Sequence, residues 1–160
     1  MSKSSDPGLN PSADATAVPD STWKSILSAT EYKILRHSAT EAPGTGRYLN
    51  NEERGFYHCA GCAQKLYAAE HKFHSGCGWP SFYDEVEEGA VKTYVDSSHG
   101  HTRTEMRCGR CDGHLGHIFQ DAPNTPTGTR HCVNGYAVLF VPDGKDPQEA
   151  LAEHRSMHQD

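Results

Sequence analysis

Two Cys-x-x-Cys knuckles, Cys59-Ala-Gly-Cys62 and Cys108-Gly-Arg-Cys111, constrain this chain more than any other feature. Two thiolates at this spacing grip one ion from a single tight turn, and two such turns complete a tetrahedron. Zn²⁺ suits four soft ligands and needs no redox chemistry, so a closed structural Zn²⁺ site is the first expectation. The 45 residues between the knuckles exceed the roughly 15–20 of a compact zinc ribbon. The metal is therefore expected to tie together distant parts of one sheet. Iron fits the same four sulfurs. One redox-active Cys-x-x-Cys with an unrelated second pair is the competing reading, but the βαβ setting of a thioredoxin-like motif is missing.

A staple matters here because large apolar residues are few. Leu, Ile, Val and Phe account for 23 of 160 residues, or about 14%, under the ~20% below which chains tend towards disorder. Structural Zn²⁺ contributes on the order of 10 kcal/mol, enough to offset so thin a core. The formal net charge of −6 and the absence of a basic cluster argue against nucleic-acid binding. No apolar run approaches the ~20 residues of a membrane span.

The chain divides into three parts. Residues 1–20, rich in Ser, Pro, Asp and Ala, read as a disordered leader. The leader has neither the apolar stretch of a secretory signal nor the pattern of a transit peptide, which favours a cytoplasmic protein with reduced thiols. Residues 21–142 form the working domain. Trp23, Ile26 and Leu27 share a helical face, and Ser28 with Glu31 forms a capping box ahead of Tyr32, Ile34 and Leu35. Two short helices ending near His37 are predicted. After Pro43-Gly44 the chain turns to short β-like segments, with candidates at Phe56–His58, Val91–Val95, Thr102–Arg107, Leu115–Phe119, Arg130–Asn134 and Ala137–Val141. Residues 143–160 are expected to be a loose tail.

Two cysteines remain once four are assigned to metal. Arg130 lies two residues from Cys132 along a predicted strand, so both point to one face, and a neighbouring cation lowers a thiol pKa. Asn134 continues that face. Cys77 sits in Ser75-Gly76-Cys77-Gly78-Trp79-Pro80, a loop whose glycines permit movement, as a resolving thiol requires. Local context leaves two readings open, catalytic thiols or inert buried ones. His114 and His117 in His114-Leu-Gly-His117 follow the second knuckle directly. They suit proton donation beside a thiolate, and also a purely structural role.

The ordered set Cys-x-x-Cys, Ser-Gly-Cys-Gly-Trp-Pro-Ser-Phe, Arg-Cys-Gly-x-Cys, His-Leu-Gly-His and Arg-x-Cys-Val-Asn resembles the methionine-R-sulfoxide reductase B family over roughly Trp23 to Val141. The resemblance implies a mainly β fold of two antiparallel sheets, tent-like, with short N-terminal helices and one structural Zn²⁺ on Cys59, Cys62, Cys108 and Cys111. It implies Cys132 as nucleophile and Cys77 as resolving cysteine. Arg130 would be the cation near the nucleophile, and Trp79, His114, His117 and Asn134 would form the pocket. Phe82 and Asp121 join the implied substrate-binding residues. The implied reaction reduces the R epimer of methionine sulfoxide in proteins through a Cys132 sulfenic acid and a Cys132–Cys77 disulfide. Thioredoxin would restore the thiols, and the enzyme would act as a monomer.

Three departures bear on pocket shape. His131 stands where the family has Tyr or Phe, Gly135-Tyr136 replaces Ser-Ala, and the loop Ala122–Thr129 is one residue longer than in many relatives. Against the enzyme reading stand a non-catalytic module lined by Trp79, Phe82 and Tyr83, a zinc hydrolase or deaminase, and a nucleic-acid-binding ribbon. A binding module needs neither Cys77 nor Cys132, and four Cys ligands leave no open metal position for hydrolysis.

Overall fold

The computed structural model describes residues 6–98 and 100–157. The helical entrance follows its local signals. Helix α1 spans Asp20–Ile26 and α2 spans Ala29–His37, the latter opened by the Ser28–Glu31 capping box with both reciprocal hydrogen bonds formed. Trp23, Leu27, Ile34 and Leu35 turn inward, each no more than 4% exposed.

Among the described residues nine strands follow: β1 (Gly55–Cys59), β2 (Lys65–Ala68), β3 (Lys72–Phe73), β4 (Ser81–Phe82), β5 (Val91–Asp96), β6 (Arg103–Cys108), β7 (His114–Phe119), β8 (Arg130–Val133) and β9 (Val138–Pro142). They form two antiparallel sheets. One has the order β2-β1-β9, the other β3-β4-β8-β7-β6-β5. The six predicted segments all appear. The short β2, β3 and β4 were not foreseen, because two- to four-residue strands carry almost no periodic signal.

One core fills the space between the helices and both sheets, with Tyr57, Leu66, Tyr67, Met106, Leu115, Val133 and Val138 fully buried. The four knuckle cysteines lie within this same cluster. The first knuckle closes β1 of the smaller sheet and the second closes β6 of the larger. The expectation that the knuckles join parts of one sheet is therefore corrected: they bridge two.

The termini also differ from expectation. Asp6 is 4% exposed and pairs with Arg155 at 3.0 Å. Arg110 donates to the carbonyls of Pro7, Asn10, Pro11 and Ala13, drawing the leader across the domain. Polar side chains thus order a segment that composition alone assigned to disorder. The expected loose tail carries α3 (Pro147–Ser156), capped by Asp146, with Leu151 buried against Leu139 and Val141. His154 of this helix reaches buried Glu31 on α2 at 2.6 Å. Residues 1–5 of the leader and 158–160 of the tail lie outside the described residues. Among the described residues, no helix is long and apolar enough to cross a membrane.

Candidate active site

The two knuckles are built alike. In each, the first cysteine's carbonyl accepts a backbone hydrogen bond from the residue just after the motif, Ala63 or Asp112, both at 2.9 Å. Those two residues adopt positive φ, 70° and 64°, which turns the chain back after the second sulfur. Gly61 N–H points at Cys59 Sγ and Arg110 N–H at Cys108 Sγ, each at 3.4 Å. All four Sγ atoms are buried and lie within 4.8 Å of one another. Two of the separations, 3.7 Å for Cys59–Cys111 and 3.4 Å for Cys62–Cys108, are near the about 3.8 Å edge of a tetrahedron with 2.3 Å metal–sulfur bonds. The donor set and its spacing therefore fit one thiophilic ion.

The other two cysteines meet on the opposite flank. Cys132 lies in the middle of β8, paired with Ser81 of β4 on one side and with His117 of β7 on the other. Strand alternation sends His131 and Val133 into the core, while Arg130, Cys132, His117 and Phe119 line the outer face. The loop before β4 brings Cys77 Sγ to 3.6 Å from Cys132 Sγ. Gly76 and Gly78 flank Cys77 with φ of 80° and 95°, a backbone that other residues rarely adopt. Thr40, Cys77, Trp79, Arg103, Gly116, His117, Phe119, Arg130, Cys132 and Asn134 enclose a pocket of about 180 Å³.

A hydrogen bond joins the two sulfurs. The hydrogen bond from Cys132 pulls the Cys77 thiol down to about 4, against the opposing effect of burial. Donating that bond pushes Cys132 up, burial adds to it, and the Arg130 charge opposes it. Arg130 is fixed by two 2.9 Å bonds to Asp121 and lies over the Phe119 ring at 4.4 Å. Its pKa is raised, first by that Asp121 bond and less by the charges on the two sulfurs. Asp121 itself is exposed and borders the neighbouring groove, so it holds the cation without entering the pocket.

The histidines take unequal places. His117 lines the pocket and its Nε2 meets Asp96 Oδ2 at 2.8 Å. Asp96 is held well below the usual carboxylate range, first by the Ser98 hydroxyl and backbone N–H and then by His117. A register shift between Met106 and Arg107 gives β7 one extra residue, which turns His114 back towards His117, with ring centroids 5.7 Å apart. His114 is buried behind the pocket. Its Nδ1 is 2.7 Å from Glu105, and burial lowers its pKa despite that partner. Asn134 is buried with its amide direction fixed, Oδ1 accepting from Glu41 N–H and Nδ2 donating to the Leu115 carbonyl, each at 3.0 Å.

Phe82, like Asp121 and His114, is an expected pocket residue that lies outside the pocket. Phe82 is fully buried, stacked on Tyr67 at 4.4 Å and edge-on to Tyr57 at 5.0 Å, because β4 turns it to the core side of the sheet. His131 likewise faces the core, where its Nδ1 meets Tyr67 Oη at 2.9 Å and burial holds it down at about 4. This departure therefore lies beneath the pocket. Gly135 and Tyr136 give their N–H groups to the Glu41 carboxylate, and the longer loop borders the groove beside Cys77. Sequence reasoning missed Thr40, Arg103 and Phe119 in the pocket, and Asp96, Glu105 and Glu41 behind it. Phe119 was the most accessible of these, two residues after His117 on one predicted strand. Asp96 and Arg103 close a hairpin whose register the sequence does not reveal.

Residues 27–142 match the SelR domain family. The chain is 49% identical to a peptide methionine sulfoxide reductase MsrB from Agrobacterium fabrum over 123 residues, which span 77% of this chain and 90% of that protein. It is 43% identical to the MsrB of Chromohalobacter salexigens over 75% of this chain and 90% of that protein. For the MsrB of a Synechococcus species the identity is 45%, over 79% of this chain and 93% of that protein. A fold of two antiparallel sheets, a buried four-cysteine cluster and this similarity agree, and the chain belongs to the SelR, or methionine-R-sulfoxide reductase B, family of oxidoreductases.

Proposed function

We propose that this chain reduces the R epimer of methionine sulfoxide in proteins to methionine, and so repairs oxidised polypeptides. The observation that carries the reading is the 3.6 Å approach of Cys77 Sγ to Cys132 Sγ in a pocket that Trp79, His117 and Arg130 also line. A disulfide between them needs the sulfurs to close by about 1.5 Å, towards a bond of roughly 2.05 Å, within reach of a loop hinged at Gly76 and Gly78.

In the resting pair a proton lies between the two sulfurs. As substrate enters, that proton passes to Cys77, and the thiolate forms on Cys132 beside Arg130. Trp79 packs on the sulfoxide methyl, and Asn134 lines the wall near the oxygen. Asp96 takes the Nε2–H, so His117 gives that oxygen a proton from Nδ1 as the doubly protonated ring. His114, held by Glu105, supports His117 from behind. The Cys132 thiolate takes the oxygen and one proton, which leaves methionine and a Cys132 sulfenic acid. Cys77 attacks the sulfenic sulfur, the disulfide forms and water departs. Thioredoxin then returns two electrons and two protons by thiol–disulfide exchange, as a reducing cytoplasm supports.

Cys59, Cys62, Cys108 and Cys111 would hold one Zn²⁺, which supplies a structural cross-link between the two sheets. Those four sulfurs take no part in turnover. The testing experiment supplies peptides bearing each sulfoxide epimer, with thioredoxin as reductant. Turnover of the R epimer alone is expected; equal turnover of both epimers, or of neither, contradicts the reading.

A further inference from the structure

Glu41 lies outside every motif in the chain and outside the pocket, yet it touches both pocket walls. It belongs to the strap between α2 and β1 and is 7% exposed. Its backbone N–H donates to Asn134 Oδ1 at 3.0 Å, and its carbonyl accepts from the Trp79 indole Nε1 at 3.0 Å. Its carboxylate accepts two successive N–H groups, Gly135 to Oε2 at 2.9 Å and Tyr136 to Oε1 at 3.0 Å. Three residues on, Gly44 N–H holds the Gly78 carbonyl at 2.7 Å. A Cβ at Gly46 would overlap the Glu41 carboxylate, so that glycine leaves room for it.

The carboxylate thus fixes the strap to the turn after β8, and the strap's main chain fixes the indole on one wall and the amide on the other. The side-chain amide of Asn134 has no freedom to flip, because one end faces a donor and the other a carbonyl. The Trp79 ring can turn only by giving up its single donor.

We propose that Glu41 is a positioning residue for the sulfoxide, setting the Trp79 ring and the Asn134 amide at once through its own main chain. This rests on the reading that Trp79 and Asn134 form the substrate pocket.

The test uses the full chain carrying Glu41→Gln. Glutamine offers one acceptor oxygen, so one of the Gly135 and Tyr136 N–H groups meets an NH₂ instead. KM for an R-sulfoxide peptide is expected to rise about tenfold with kcat changed less than about twofold, since a buried donor left unpaired loosens the pocket more than the chemistry. Acrylamide quenching reports the indole directly, because Trp23 is 1% exposed and the quenchable emission belongs to Trp79. Quenching should increase, while the rate of Cys132 alkylation stays at the wild-type value. Gly46→Ala, which displaces the same carboxylate from the other side, should reproduce the result and serves if Glu41→Gln does not fold. Wild-type KM and quenching in a folded variant would overturn the proposal. So would an unchanged KM with lower kcat and altered alkylation, which marks general disruption. If the wild type reduces no sulfoxide, the functional reading fails, yet quenching still decides whether Glu41 orients Trp79.

Discussion

Replacing Cys108 by Ser removes one of four sulfurs from the centre that joins the two sheets. All four are no more than 1% exposed and sit in the main core with Trp23, Leu35 and Leu115. A structural Zn²⁺ contributes about 10–16 kcal/mol, against a net stability of about 5–15 kcal/mol for a domain. Without the ion the fold should not persist. If three sulfurs keep it, roughly a quarter of the metal contribution, about 2.5–4 kcal/mol, is still lost. For a chain of this length that loss lowers Tm on the order of 10 °C. Metal content by mass spectrometry, far-UV circular dichroism and thermal melts measure the effect. Turnover per folded chain, measured with a small thiol reductant, should be unchanged, because these sulfurs stand apart from the pocket. A Cys108→Ser protein that melts like the wild type would refute the reasoning, whether or not it holds metal.

Cys77→Ser should release one methionine per chain and then stall with thioredoxin, leaving a Cys132 sulfenic acid that dimedone traps; sustained thioredoxin-driven turnover would remove Cys77 from the resolving role. Glu31 bears on acid stability: burial pushes its pKa up, but His154, Arg47 and the Ser28 N–H together bring it from 4.5 down to about 2. Its stabilisation, about 3 kcal/mol, is therefore full above pH 4.5 and is lost as pH falls towards 2. In urea melts the gap between wild type and Glu31→Gln should narrow by about 2 kcal/mol from pH 6 to pH 3, and a constant gap would mean that folding leaves the Glu31 pKa at its unfolded value. Leu151→Ala should cost about 2–5 kcal/mol in the same assay, as for other buried Leu truncations, and a loss below about 0.5 kcal/mol would return α3 to the status of a loose tail.

What the sequence reveals depends on how local the physics is. The knuckles, the capping box at Ser28 and the face shared by Arg130 and Cys132 are set by spacing alone, and all three are found. The start of α3 was legible in the same way, since Asp146-Pro147 with Glu149 is a helix-opening pattern. Weak amphipathicity with Leu151 as its one buried residue hid it. The leader was misjudged because its order comes from Arg110 and Arg155, about a hundred residues or more away. Phe82 was misplaced because a two-residue strand gives no alternation from which to tell which face is inward. The carboxylates behind the histidines, Asp96 and Glu105, come from neighbouring strands whose register, including the irregularity at Met106/Arg107, no local pattern encodes.

The most direct measurement treats the reduced, metal-loaded protein with R-sulfoxide peptide in the absence of any reductant and maps its thiols. One methionine should form per chain, two of six thiols should disappear, and peptide mapping should find them joined as Cys77–Cys132. A disulfide involving Cys59, Cys62, Cys108 or Cys111, or methionine formed with all six thiols intact, would contradict the division of the cysteines into four that fold the chain and two that turn over.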